Sequence, residues 1–106
     1  MREIMTRLRG VQFGDCQYNI KNFACPKALG IDEYDLVREP DNPFDPNAVR
    51  VEICGFKFGY ITKEQAQEIS SIMNNGQKLA AQFVSVNRSP FHDTVGLTVK
   101  ITEKIQ

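Results

Sequence analysis

The sequence predicts a mainly β domain with one clear helix, an α+β arrangement in which about six short strands curl into a small barrel-like sheet closed off by the helix. Three observations predict it. Several segments alternate apolar and polar residues with a period of two. One run alone carries a cap, an apolar stripe at helical spacing and a glycine stop. The chain has 106 residues, 42% of them hydrophobic, and no tryptophan, which supplies one modest core. A single domain is therefore expected over residues 1–106, with its core at roughly 5–103.

The first candidate strand lies between Ile4 and Phe13 and is best developed over Leu8-Arg9-Gly10-Val11-Gln12-Phe13, with Gly10 marking a bend or bulge. Residues 14–33 are less regular, and a short helical turn is expected around Tyr18 to Phe23. Tyr34-Asp35-Leu36-Val37-Arg38 reads as the second strand, stopped by Pro40. From Ala48 to Ile53 the alternation is clean: Val49, Val51 and Ile53 share one face, Arg50 and Glu52 the other. Cys54-Gly55 turns the chain into a hairpin partner, Phe56 to Ile61.

The helix follows. Thr62 caps its start, and Gln65, three residues on, can complete a capping box. Ile61 and Ala66 stand at the positions of a hydrophobic staple. Ala66, Ile69, Ile72 and Met73 form the buried stripe, Lys63, Glu64, Gln67 and Glu68 face water, and Gly76 ends the helix. Leu79 to Val86 and Val95 to Thr102 complete the strands, the latter alternating Val95, Leu97, Val99 and Ile101 with Gly96, Thr98, Lys100 and Thr102. Asn87-Arg88-Ser89-Pro90-Phe91-His92 is the turn between them.

Thirteen basic and thirteen acidic residues cancel to a formal charge of zero. This excludes a generic basic nucleic-acid coat, and the length excludes a motor, a kinase or a large cofactor-binding enzyme. The sum conceals an uneven distribution: residues 31–54 hold seven acidic and two basic residues, and both flanks are mildly basic. Cys16, Cys25 and Cys54 include no closely spaced pair and read as reduced thiols, which points to a cytoplasmic setting. No metal is expected on them or on His92, and no cofactor. No apolar run approaches the ~20 residues of a membrane span, and the N-terminus, Met1-Arg2-Glu3-Ile4-Met5-Thr6-Arg7, lacks the apolar stretch of a signal peptide.

The most informative segment is Leu36-Val37-Arg38-Glu39-Pro40-Asp41-Asn42-Pro43-Phe44-Asp45-Pro46-Asn47-Ala48-Val49. Three of the five prolines fall within seven residues, and each restricts both its own φ and the residue before it. Asp41, Asn42, Asp45 and Asn47 can bond the backbone and lock the turn. Phe44 needs either a core pocket or a ligand to cover it. The segment lacks the central glycine and terminal glutamate of a helix–loop–helix calcium site, and nothing beside Asp41 and Asp45 supplies a nucleophile. Recognition of a nucleotide fits the residue types better: amides pair with base edges, a ring stacks, and a carboxylate accepts from a terminal hydroxyl but repels phosphate.

These residues resemble a known family. The segment from Leu36 to Val51 looks like the signature of the HIRAN domain, and Gly59-Tyr60-Ile61-x-Lys63-Glu64-x-Ala66 resembles its second block, with Gly10-Val11-Gln12-Phe13 where its first strand motif lies. The resemblance covers roughly residues 5–103. It implies a modified OB-like β-barrel with inserted helical elements, found as the N-terminal module of Swi/Snf-type fork-remodelling DNA translocases and as free-standing bacterial and phage proteins. It also implies a role in DNA repair: capture of the 3′ end of single-stranded DNA, without catalysis.

Carried over by position, the resemblance implies that Asp45 accepts from the 3′-hydroxyl and that Asp41 and Asn42 line the terminal nucleotide. Phe44 keeps the ring of the usual tyrosine without its hydroxyl. Phe13, Tyr60 and Phe91 are the other aromatic candidates, and Lys63 meets phosphate. Gln12 stands where the family has an arginine, so one phosphate contact is lost at that position unless Arg9 or Arg38 supplies it. A helicase, nuclease or translocase acting in trans is the expected protein partner of a monomer or weak dimer. The alternative is an adaptor or protein-interaction module that keeps the fold and lacks the DNA site.

Overall fold

Alternating strands with one apolar face bury that face by curling around a shared core, and the computed structural model, which describes residues 3–104, shows this arrangement. The elements in chain order are β1 (Ile4–Arg7), α1 (Cys16–Phe23), a short 3-10 turn (Pro26–Leu29), β2 (Tyr34–Arg38), β3 (Val49–Ile53), β4 (Phe56–Tyr60), α2 (Lys63–Asn74), β5 (Leu79–Ser89) and β6 (His92–Glu103). All strand pairs are antiparallel, in the order β1-β6-β5-β2-β3-β4. The two outer strands meet where Arg9, just past β1, bridges Tyr60 at the end of β4; each backbone N–H donates to the other's carbonyl at 2.8 Å. This bridge curls the six-stranded sheet into the OB-like half-barrel.

The bridge depends on Gly59. A Cβ there would lie 2.8 Å from the Arg9 carbonyl oxygen and 3.2 Å from Leu8 and Val11 side-chain atoms, and φ is +155°. Only glycine allows the strands so close. The inward residues of the alternating strands fill the interior, with Val49, Val51, Phe58, Leu97, Val99 and Ile101 buried. Tyr34 and Phe58 meet edge to face with centroids 5.4 Å apart. Tyr34 donates its hydroxyl to the Ala24 carbonyl, tying β2 to the segment after α1.

Helix α2 closes the barrel as its stripe predicts, with Ala66 and Ile69 buried and Ile72 and Met73 packed against the core. Thr62 accepts from the Gln65 N–H at 3.3 Å, but its hydroxyl donates to Gln65 Oε1, so the glutamine does not reach back to the cap backbone and only half of a capping box forms. At the other end Gly76 is left-handed, with Gly76 N bonded to Met73 O and Gln77 N to Ile72 O, a Schellman termination.

Three sequence expectations are revised. The first strand ends at Arg7, because Gly10 at φ +71° turns the chain and Phe13 N bonds Gly10 O, which places Gln12 and Phe13 in a loop instead of a strand. The helix around Tyr18 begins two residues earlier, at Cys16, and is followed by the 3-10 turn. The last two strands run on to a two-residue turn, Pro90-Phe91, with Ser89 paired to His92. That extension is held by polar groups, Asn87 Nδ2 donating to Thr98 Oγ1 at 2.7 Å, so it has no apolar alternation to reveal it. The N-terminal reading rests partly on Met1 and Arg2, which lie outside the described residues. No helix among the described residues is long and apolar enough to cross a membrane.

Candidate functional site

Residues 39–48 connect β2 to β3 and form one wall of a groove with a volume of about 730 Å³. Its prolines and internal bonds make the wall rigid. Glu39 N bonds Ala48 O across its base, and Ala48 N bonds Asp45 O at 3.1 Å. Asn42 Oδ1 accepts from Phe44 N (2.8 Å) and Asp45 N (3.1 Å), and its Nδ2 donates to Glu39 Oε1 at 2.9 Å. The Asn42 amide oxygen and one of its two Nδ2 hydrogens are thus committed to shaping the loop. Asp45 Oδ1 accepts from Asn47 N at 2.9 Å, while Oδ2 has no hydrogen bond among the described residues.

This geometry leaves Phe44 89% exposed, which removes the core-pocket alternative for its ring. Across the groove the turn after Gly10 presents Phe13, 67% exposed. Tyr60 also lines the groove, its ring beside Gly10, where a Cβ would lie 3.5 Å from Tyr60 and 3.9 Å from Phe13. Two exposed rings, Phe13 and Phe44, and the half-buried Tyr60 thus bring flat apolar faces into a single groove.

Beneath the loop, Glu39 ties the groove together. Its carboxylate accepts from Asn42, from Arg50 Nη1 at 2.7 Å and from the Tyr60 hydroxyl at 2.9 and 3.0 Å, joining the loop, β3 and β4. Arg50 also holds Glu52 at 2.8 Å. Burial pulls the Glu39 carboxyl upward, but the bonds from Asn42, Tyr60 and Arg50 and the Arg50 charge outweigh it and hold the group below the usual carboxylate range. Burial and the bond to Glu39 raise the Tyr60 phenol, with Lys57 opposing, so Tyr60 remains a neutral donor.

Three cations line the groove: Arg9, Lys57 on β4 and Lys63 on the first turn of α2. Asp45 and Glu64 are the carboxylates among its lining residues. Of the residues singled out in the sequence, the groove brings together Phe13, Asn42, Phe44, Asp45, Tyr60 and Lys63. Asp41 and Gln12 are exposed beside it without lining it, and Phe91 stands 86% exposed at the tip of the β5–β6 hairpin. Arg38 bonds Asn74 and the Pro46 carbonyl, so it braces the loop from behind. Sequence reading missed Lys57 and Glu39. The Phe56-Lys57-Phe58 alternation was the one available signal for Lys57, since it put that side chain opposite the core residue Phe58. Among the described residues no three His, Cys, Asp or Glu side chains converge on a point that could hold a metal.

The HIRAN domain family model matches residues 13–104. A stretch of 41 residues is 46% identical to part of the helicase-like transcription factor of Oryctolagus cuniculus, covering 38% of this chain and only 4% of that relative. The fold is similar to the HIRAN domain of human HLTF, with a TM-score of 0.66 at 19% identity over 95% of this chain and 74% of that one. It is also similar to a protein from Lactobacillus plantarum, with a TM-score of 0.67 at 20% identity over 97% of this chain and 98% of that one.

Proposed function

The chain belongs to the HIRAN domain family, and from that premise we propose that it is a nucleic-acid-binding module that grips single-stranded DNA at its 3′-hydroxyl end, with no catalysis of its own. The observation that carries this reading is the groove itself. Exposed Phe13 and Phe44 rings, three cations and the partly uncommitted Asp45 carboxylate line one cavity. Rings supply sequence-tolerant stacking for the last bases. Cations take the phosphates. A carboxylate there repels an internal or terminal phosphate and accepts from a free hydroxyl, so it selects an end. With the Asn42 oxygen committed to the loop, that side chain keeps one N–H donor and no acceptor with which to read a base edge.

A module of this kind serves a helicase, nuclease or translocase acting in trans, and the helicase-like name of the rabbit relative supports that partner class. The test is a fluorescence-anisotropy titration of short single strands ending in 3′-hydroxyl or 3′-phosphate. End capture predicts affinity about tenfold or more lower for the 3′-phosphate strand, the worth of one charge-assisted hydrogen bond replaced by repulsion. Equal affinity for the two strands overturns it. Failure of both strands to bind returns the chain to the adaptor reading.

A further inference from the structure

We infer that Arg9 and Lys57 form a second subsite, on the Tyr60 side of the groove, that takes a backbone phosphate of the bound strand; this rests on the nucleic-acid reading above. The positively charged side chains of the groove region differ in what they already hold. Arg50 is engaged by Glu39 and Glu52, and Arg38 by Asn74 and Pro46. The Arg7 guanidinium lies against Gly96, on another part of the sheet. Arg9 differs: its side chain is exposed, lines the groove and makes no hydrogen bond or ion pair among the described residues.

Its backbone, by contrast, is fixed by the reciprocal bonds to Tyr60. An anchored Cα with a free guanidinium presents five donors, in a planar fork suited to phosphate oxygens, from a defined point. Lys57 approaches the same tyrosine from the side-chain end. Its ammonium sits 5.0 Å from the Tyr60 ring centroid and 3.3 Å from the hydroxyl oxygen, a single bond that leaves donors for a second acceptor. Tyr60 therefore organises both cations, one through its main chain and one through its ring. Asp45 lies on the loop wall, so the subsite binds phosphate where end selection does not operate.

Salt titration separates this role from end capture. Each phosphate contact on a single strand contributes about 0.7 to the slope of log affinity against log salt. In 3′-hydroxyl single-strand titrations across a salt series, Arg9→Gln and Lys57→Gln are each expected to lower the slope by about that amount. Each is also expected to weaken low-salt binding by about tenfold, with the 3′-hydroxyl preference unchanged. Arg9→Lys restores the slope. The Arg9 variants leave the backbone bridge intact, so they test the claim even if Lys57→Gln disturbs Tyr60, which a thermal melt reports. Wild-type slope and affinity in both Gln variants, with end preference intact, overturns the subsite alone. Absence of DNA binding by the wild-type chain overturns it together with the reading on which it rests.

Discussion

At Glu39 one carboxylate meets an amide, a guanidinium and a phenol, each from a different element. Because these bonds favour its charged form, the folded protein holds Glu39 below its ordinary value. The stability it contributes is therefore fully present above the unfolded carboxylate pKa, about 4.3, and is lost as pH falls through the lower folded value. Glu39→Gln should be destabilised by on the order of 1–2 kcal/mol at neutral pH, with the gap to wild type narrowing on acidification. Urea unfolding at neutral and strongly acidic pH measures both, and a gap independent of pH would show that the charge is not what holds the loop. Phe44 behaves oppositely. Its ring makes almost no packing contribution at 89% exposure, so Phe44→Ala should leave the melting temperature nearly unchanged while weakening single-strand binding by about 1–3 kcal/mol.

At the scale of elements, the loop, β4 and α2 place these side chains. Gly59 sets the approach of β4 to the segment after β1, and Gly59→Ala forces a Cβ against the Arg9 carbonyl. A loss of about 1–3 kcal/mol is expected in denaturant unfolding, accompanied by weaker DNA binding, because Tyr60 and Arg9 share the bridge. Strands β2 to β4 and helix α2 were legible because their signals are local: alternation, a proline stop, a cap and a terminal glycine. Residues 8–13 misled because Leu8, Val11 and Phe13 look like strand material, while the left-handed turn at Gly10 is a backbone choice fixed by the pairing of Arg9 with Tyr60, fifty-one positions away in sequence. The polar tip of the β5–β6 hairpin was hidden for a related reason, since its ladder is held by Asn87 and Thr98 with no apolar face.

For the whole molecule, the curling of the sheet turns a neutral chain into one with a mixed-charge groove. The acidic segment 31–54 supplies Asp45 and, beneath the groove, Glu39, while the basic flanks supply Arg9, Lys57 and Lys63. The motif identified the loop wall, Tyr60 and Lys63. It left Lys57 unmarked and Arg9 as one of two options, because which cations reach the groove depends on barrel closure and not on spacing along the chain. The central claim is that Asp45 selects a hydroxyl-terminated end. Its most direct test is a thermodynamic cycle comparing wild type and Asp45→Ala on otherwise identical single strands ending in 3′-hydroxyl or 3′-hydrogen. Wild type should prefer the hydroxyl by about tenfold, and Asp45→Ala should bind the two strands alike. A preference that survives unchanged in Asp45→Ala would contradict the claim.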